Sequence, residues 1–223
     1  MAILLCLETA STNCSVALFE GDRLLAMRED RTDAYTHGEE LHGFIAEVLR
    51  DQGLEPAALD AVAVGKGPGS FTGLRIGVSA AKGLCFALEI PLIGLPTLEI
   101  LARTLRVEQG VLVPMLDARR MEVYAAVYSK DISPLRETRA EILTADSFAE
   151  YLPDGPVHLL GSGAAKAGEL LPGPSFQCYP EHMPTAKTMG PMAHERYSKG
   201  LFEDVAYFEP YYLKDFIPGG GKG

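Results

Sequence analysis

Gly65-Lys66-Gly67-Pro68-Gly69-Ser70-Phe71-Thr72-Gly73-Leu74-Arg75-Ile76-Gly77 decides how this chain folds. The apolar run Leu59–Val64 before it reads as a buried strand, and Leu74–Leu88 after it reads as a helix. The segment is therefore strand, glycine-rich loop, helix. Such a loop aims backbone N–H groups and a helix N-terminus at one point, which suits an anion such as a phosphate. It also allows a second backbone to come very close. It is not a Walker A loop, because no Lys-Ser/Thr follows its last glycine, and Pro68 removes one donor.

Working outward, the N-terminal side opens with strand Ile3–Leu7, which ends at Glu8. Ser15–Phe19 and Arg23–Arg28 follow as a meander turned at Glu20-Gly21-Asp22. A capping box, Thr36 with Glu39, starts a helix whose apolar positions are Leu41, Phe44, Ile45, Val48 and Leu49. Beyond the loop helix, strand Leu92–Leu95 and helix Leu98–Leu105 close the first half. The second half starts the same way. Val111–Leu116 is a strand ending at Asp117, then come strands at Glu122–Tyr128 and Ser133–Arg139. A short helix at Ser147–Leu152, strand Val157–Leu160, the loop Gly161-Ser162-Gly163-Ala164 and a helix from Lys166 to Leu171 complete it. The order βββαβα thus occurs twice, with Glu8 matching Asp117 and the Gly65 loop matching the Gly161 loop. The fold expected is α/β, a duplicated unit of mixed sheets flanked by helices. The units span 1–108 and 109–215, the second smaller and its last helix free to pack back on the first. A tail, 216–223, follows.

The 223 residues carry 30 acids against 20 bases, a formal charge of -10. That balance opposes a direct grip on nucleic acid, which needs a basic face. Cys6, Cys14, Cys85 and Cys178 have no paired spacing and read as buried free thiols, not as a disulfide frame or zinc site. The N-terminus has no signal-peptide pattern, and no run reaches the roughly 18 apolar residues of a membrane helix. A soluble, cytoplasmic protein is expected.

Two βββαβα units, each with an acid closing its first strand and a glycine loop beyond, resemble the actin-like ATPase, sugar-kinase and Hsp70 superfamily, with its RNase H-like halves. Closer in, four segments are similar to the TsaB (YeaZ) family of bacterial proteins. They are Leu7-Glu8-Thr9-Ala10-Ser11, the long glycine run, Asp117-Ala118-Arg119-Arg120 with Glu122-Val123-Tyr124, and Gly161-Ser162-Gly163-Ala164. The resemblance spans roughly residues 1 to 215. It implies a partner, without catalysis of its own, for the related enzyme TsaD. With TsaE, these proteins place a threonylcarbamoyl group, carried by threonylcarbamoyl-adenylate, on N6 of adenosine 37 in tRNAs reading codons that start with A. TsaD carries the metal and the chemistry. A homodimer is implied when TsaD is absent, with tRNA contacted only indirectly.

The superfamily resemblance makes Glu8, Thr9, Gly67, Gly69, Ser70, Asp117, Gly161 and Gly163 the candidate nucleotide-binding residues. ATP or ADP is expected only within the complex, and no cofactor for the chain alone. The catalytic relative holds its metal through two histidines at i and i+4. Here His37 is followed at i+4 by Leu41, and His42 at i+5 points about 140° away. No metal site and no catalytic residue is assigned. Ser70 and Thr72 sit where helix caps belong, and no nucleophile elbow is present.

The helix after the loop is apolar nearly all round, with only Arg75, Ser79 and Lys82 as a polar strip. Such a helix needs cover on several sides. The interface expected for TsaD or for a second copy is His37, Leu41, Phe44, Ile45 and Val48 on the first helix. On the second it is Gly73, Gly77, Ala80, Ala81 and Leu84, in a patch of about 800 Å² per side. A charge at Gly77 or Ala80 is expected to abolish pairing and leave a folded monomer. The alternatives are an ATP-dependent enzyme of the kinase-like superfamily and a metallopeptidase.

Overall fold

The structure, a computed structural model, describes residues 1–31, 37–171 and 173–214. Strands β1 (Ile3–Glu8), β2 (Asn13–Glu20) and β3 (Arg23–Arg31) form the antiparallel meander. Gly21 makes the tight turn between β2 and β3 at φ +63°, a conformation that suits glycine. Helix α1 (His37–Asp51) leads to β4 (Ala61–Gly65), which lies parallel to β1. Helix α2 (Phe71–Leu88), strand β5 (Leu92–Leu95) and helix α3 (Thr97–Ala102) follow. The sheet order is β3-β2-β1-β4-β5.

The second half repeats this with β6 (Val111–Asp117), β7 (Glu122–Ser129), β8 (Pro134–Ile142), β9 (Val157–Leu160), helix α4 (Ala164–Leu170) and β10 (Phe176–Tyr179). Its order is β10-β9-β6-β7-β8. Strand for strand this is the first sheet again, so the duplication read from the sequence is the architecture of the molecule. Parallel β4 and β9 each sit beside the strand that carries the acid.

Four elements differ from expectation. Ser147–Leu152 is no α-helix; a 3₁₀ segment, Ala149–Asp154, takes its place, with Pro153 inside it and Gly155 ending it at φ +118°. Proline and a positive-φ glycine leave no room for an α-helical run. Strand β10 had no counterpart in the sequence reading, and helix α5 (Gly190–Ser198) had no bounds there, only the place of a last helix free to pack back on the first half. Helix α3 stops at Ala102, shorter than the periodicity suggested.

Each sheet is covered on both faces. Helices α1 and α2 bury Leu41, Ile45, Val48, Val78, Ala81 and Cys85 on one face of the first sheet. Helix α5 covers the other face, with Met189, Met192 and Ala193 against Leu4, Phe19 and Ile93. Gly190 allows this, since a side chain there would overlap the Phe19 ring. Helix α3 lies between the two sheets, giving Ile100 to the first and Leu98, Leu101 and Ala102 to the second. Helix α4 and the 3₁₀ segment close the outer face of the second sheet.

By length and composition α2 could cross a membrane. In this fold it is a core helix, with Leu74, Val78, Ala81 and Cys85 buried. Cys6, Cys14 and Cys85 are buried free thiols, as expected, whereas Cys178 is exposed. Burial raises the first three, Cys14 to about 12 and Cys85 to about 11, so they stay protonated and inert.

Candidate functional site: the cleft and the outward face of helix α2

A cleft of about 680 Å³ opens between the halves. The turn after β1 (Ala10, Ser11, Thr12), the glycine loop, the end of β6 and Ser162 line it. That is where a doubly wound sheet places ligands, at the carboxyl ends of its strands. Gly69, Ser70 and Asp117 of the candidate nucleotide residues reach this cleft. Glu8, Thr9, Gly67, Gly161 and Gly163 are brought close by but lie beneath its wall, fully or nearly fully buried.

Glu8 shows why. Its carboxyl is turned inward under the loop, where Oε1 accepts the N–H of Ala10 at 2.7 Å. Oε2 has no hydrogen-bond partner among the described residues. A Cβ on residue 65 would overlap this carboxyl, which explains the glycine there. Burial pushes the Glu8 pKa up to about 7, against the pull of the Ala10 and Thr9 N–H groups. An enclosed carboxyl whose charged form is disfavoured is poorly placed to hold a cation or a phosphate-bound metal.

Five of the run's amides are spent internally. Lys66 N–H goes to Leu95 O at 2.8 Å, Gly67 N–H to Thr97 Oγ1 at 3.0 Å and Ser70 N–H to Ala10 O at 2.7 Å. Ser70 caps α2, accepting Gly73 N–H at 3.3 Å through Oγ and Leu74 N–H at 2.8 Å through its carbonyl. An anion site needs amides that point free into the cleft, and those five are committed. The cap at Ser70 was legible from the sequence; the loss of the other donors was not.

The glycines of the run serve close approach instead. A Cβ at Gly69 would overlap Ala10 O, and one at Gly77 would overlap Thr9 Oγ1. Thr9 Oγ1 also donates to Gly73 O at 2.8 Å. In the second half, Gly161 and Gly163 pack in the same way on Met115 of β6. The two motifs therefore interlock: Glu8-Thr9-Ala10 is the tongue, and the glycine run from 65 to 77 is the groove.

Asp117 faces the cleft half-exposed, but it is paired. Lys166 of α4 donates to Asp117 Oδ1 at 3.0 Å, to Arg120 O at 2.8 Å and to Glu122 O at 2.5 Å. Asp117 Oδ1 also accepts Arg119 N–H at 2.6 Å. Arg119 and Arg120 sit at φ +71° and +50°, a left-handed turn held by that lysine. His182, Tyr124 and Arg119 also line the cleft; Tyr124 and Arg119 enter the sequence reading only as parts of a family segment, and His182 has no site role there. Thr104 Oγ1 donates to Leu101 O at 2.7 Å and lies 2.8 Å from His182 Nδ1. Among the described residues, no three His, Cys, Asp or Glu groups are placed to share a metal ion.

The helix pair divides differently from the sequence reading. Thr36 and the side chains of His37 and Glu39 lie outside the described residues. Leu41, Ile45, Val48, Gly73, Gly77, Ala80 and Ala81 are buried within this chain, and Phe44 and Leu84 are half-buried. The expected interface residues are thus mainly internal packing of α1 and α2 on the sheet. A charge at Gly77 would strike β1 and not a partner. The face left open is a neighbouring stripe: Thr72, Arg75, Ser79, Gly83, Phe86 and Ala87 on α2, with Gly43 and Ala46 on α1. Phe86 is 83% exposed, and nothing lies within 4 Å of a Cβ built at Gly83 or Gly43. The recurring steps of three and four from 72 to 87 could have revealed this stripe in the sequence.

Two halves with one strand order, joined by a buried helix and meeting at a cleft at their strand ends, define a duplicated actin-like, RNase H-like protein. The family described as tRNA N6-adenosine threonylcarbamoyltransferase, TsaD, matches residues 31–207. "tRNA threonylcarbamoyladenosine biosynthesis protein TsaB" of Escherichia coli strain K12 is 29% identical, over 96% of this chain and 95% of that protein. The Bacillus subtilis strain 168 protein of the same name is 35% identical, over 75% of this chain and 74% of its own length. Among solved structures, YeaZ from Pseudomonas aeruginosa superposes with a TM-score of 0.80 at 27% identity. A second Pseudomonas aeruginosa protein, described as similar to peptidase YEAZ, gives 0.83 at 26%; each covers 96% of this chain and 100% of its own. The chain belongs to the TsaB (YeaZ) family, within the wider TsaD relationship.

Proposed function

We propose that the chain acts in tRNA threonylcarbamoyladenosine biosynthesis as a non-catalytic cytoplasmic subunit. It pairs with TsaD and works with TsaE, while TsaD transfers the threonylcarbamoyl group to N6 of adenosine 37. The observation that carries this reading is the exposed stripe on α2. Phe86 stands 83% exposed between Gly83 and Ala87, on a helix whose other sides are packed. An aromatic among small residues invites a second helix to come close. The acidic charge of -10 agrees with leaving tRNA to other subunits. The chemistry residues of the superfamily also point away from catalysis, with Glu8 enclosed and Asp117 paired to Lys166.

The test is reconstitution with TsaD, TsaE, ATP, threonylcarbamoyl-adenylate and tRNA. Omitting this chain, or supplying it as Phe86→Asp, is expected to lower transfer at least tenfold, with loss of co-elution with TsaD. Asp117→Ala is expected to leave transfer near wild type. Full transfer with Phe86→Asp overturns the interface reading. Loss of transfer with Asp117→Ala, co-elution intact, favours the alternative in which this chain handles nucleotide itself.

A further inference from the structure

After α5 the chain returns across both halves. Glu203 N–H donates to Leu92 O at 2.9 Å at the edge of the first sheet. Phe208 is the last buried side chain, its ring seated over Gly94. From there the chain runs past α2, and residues 211–214 form part of the cleft wall. Tyr211 N–H donates to Lys66 O at 2.7 Å, and Tyr211 O packs 2.9 Å from a Cβ position on Gly67. Arg75 Nε lies 3.2 Å from Tyr212 Oη, and the Tyr212 ring is 5.0 Å from that of Phe71. Lys214 then pairs with Glu122 at the start of β7, in the other half. Four of the cleft's wall residues, Tyr211 to Lys214, come from this segment.

Its attachment is light. No side chain beyond Phe208 is buried through Lys214, and Tyr211 is 44% exposed. A groove of about 360 Å³ separates the segment from the side of α2. The ion pair at its end joins side chains 43% and 22% exposed. Segments with few buried contacts and exposed hydrogen bonds open first in a native protein. The cleft behind is within the volume range of small-molecule sites.

We infer that residues 209–214 are a releasable strap, hinged at Phe208, that closes the cleft between the halves, and that its release admits small molecules to the cleft. Tyr211 on the glycine loop and Tyr212 on α2 fasten it to one half, and Lys214 on Glu122 fastens it to the other.

Thiol labelling of the full chain tests this. Cys178→Ser removes the exposed native thiol, and Thr12→Cys places one in the cleft wall; Cys6, Cys14 and Cys85 stay buried. With dithiobis(nitrobenzoate), which forms a mixed disulfide and releases thionitrobenzoate, Lys214→Glu and, separately, Tyr211→Pro with Tyr212→Ala are expected to speed labelling at position 12 at least fivefold. Adding Glu122→Lys to Lys214→Glu is expected to bring the rate back to within twofold of the starting protein. Equal rates in all variants overturn the strap. So does a rise matched by labelling of Cys6, Cys14 and Cys85, which marks general unfolding. Failure of the charge swap to slow labelling overturns the Lys214 fastening.

Discussion

The Thr9 hydroxyl occupies the space that a side chain at residue 77 would need, so the turn just after β1 and helix α2 touch through a threonine and a glycine. Thr9 Oγ1 also donates to Gly73 O one turn earlier on the helix. Gly77 is therefore a fold residue. Gly77→Ala is expected to destabilise the chain by about 1–3 kcal/mol, the usual cost of forcing atoms into a packed interior. Thr9→Ala removes the overlapping atom, so the double variant should be less unstable than the sum of the singles. Urea unfolding of the four proteins measures this coupling. Strict additivity would mean the contact is not what limits residue 77.

The open stripe makes the opposite prediction. Gly83 has empty space where a side chain would stand, and it lies one turn before Phe86 and Ala87. Gly83→Glu should leave thermal unfolding unchanged or slightly raised, because a mid-helix glycine costs roughly 1 kcal/mol relative to other residues. The same variant should lose TsaD on size-exclusion chromatography. Gly77→Ala tests the fold and Gly83→Glu tests the surface, and each measurement reads what the other does not. Unchanged co-elution of Gly83→Glu would place the partner elsewhere.

The duplication was readable because its signals are local. Apolar runs end at Glu8 and Asp117, and a glycine loop follows the fourth strand of each half. What covers each helix was not readable. Periodicity marks Leu41, Ile45, Gly77 and Ala81 as one class of position, but β1 lies far off in sequence and only the fold brings it underneath. Helix α5 and strand β10 lacked a signal for the same reason. Gln177 and Cys178 are exposed on β10, and α5 earns its place through Met192 and Ala193 meeting the first sheet. At the cleft, the sequence gives residue types but not donor directions. The glycine run looks like an anion loop until Leu95 O, Thr97 Oγ1 and Ala10 O take up its amides.

Glu8 should make stability depend on pH. Its pKa is raised by burial to about 7, while an unfolded glutamate titrates near 4.5. Between those values the folded state holds a proton that the unfolded state has lost. The cost of that proton is absent below about pH 4.5, grows as pH rises, and is complete above about pH 7. From the shift it amounts to roughly 3 kcal/mol. Glu8→Gln keeps an oxygen for Ala10 N–H and carries no titratable proton. It should be near neutral at pH 4.5 and stabilising at pH 8, as read from chemical unfolding at both. A difference between the two proteins that does not change with pH would show that Glu8 does not titrate in this window.

Lys166 should matter more than Asp117, although both sit in one ion pair. The lysine side chain is 15% exposed and its ammonium also satisfies the carbonyls of Arg120 and Glu122. Those carbonyls belong to the turn in which Arg119 and Arg120 hold left-handed backbone. Asp117 is 49% exposed, and an exposed partner contributes about 0–1 kcal/mol. Lys166→Met removes a donor from three acceptors at once; Asp117 Oδ1 keeps the Arg119 N–H and Glu122 O keeps the Ala118 N–H, so the loss falls mainly on Arg120 O, at about 1–3 kcal/mol where that group is shielded from water. Asp117→Asn removes only the charge and leaves the turn fastened. Lys166→Met is therefore expected to lower unfolding stability by at least 1 kcal/mol more than Asp117→Asn and to raise amide exchange across residues 117–122. Equal effects of the two substitutions would show that the ion pair, and not the carbonyl clamp, holds this side of the cleft.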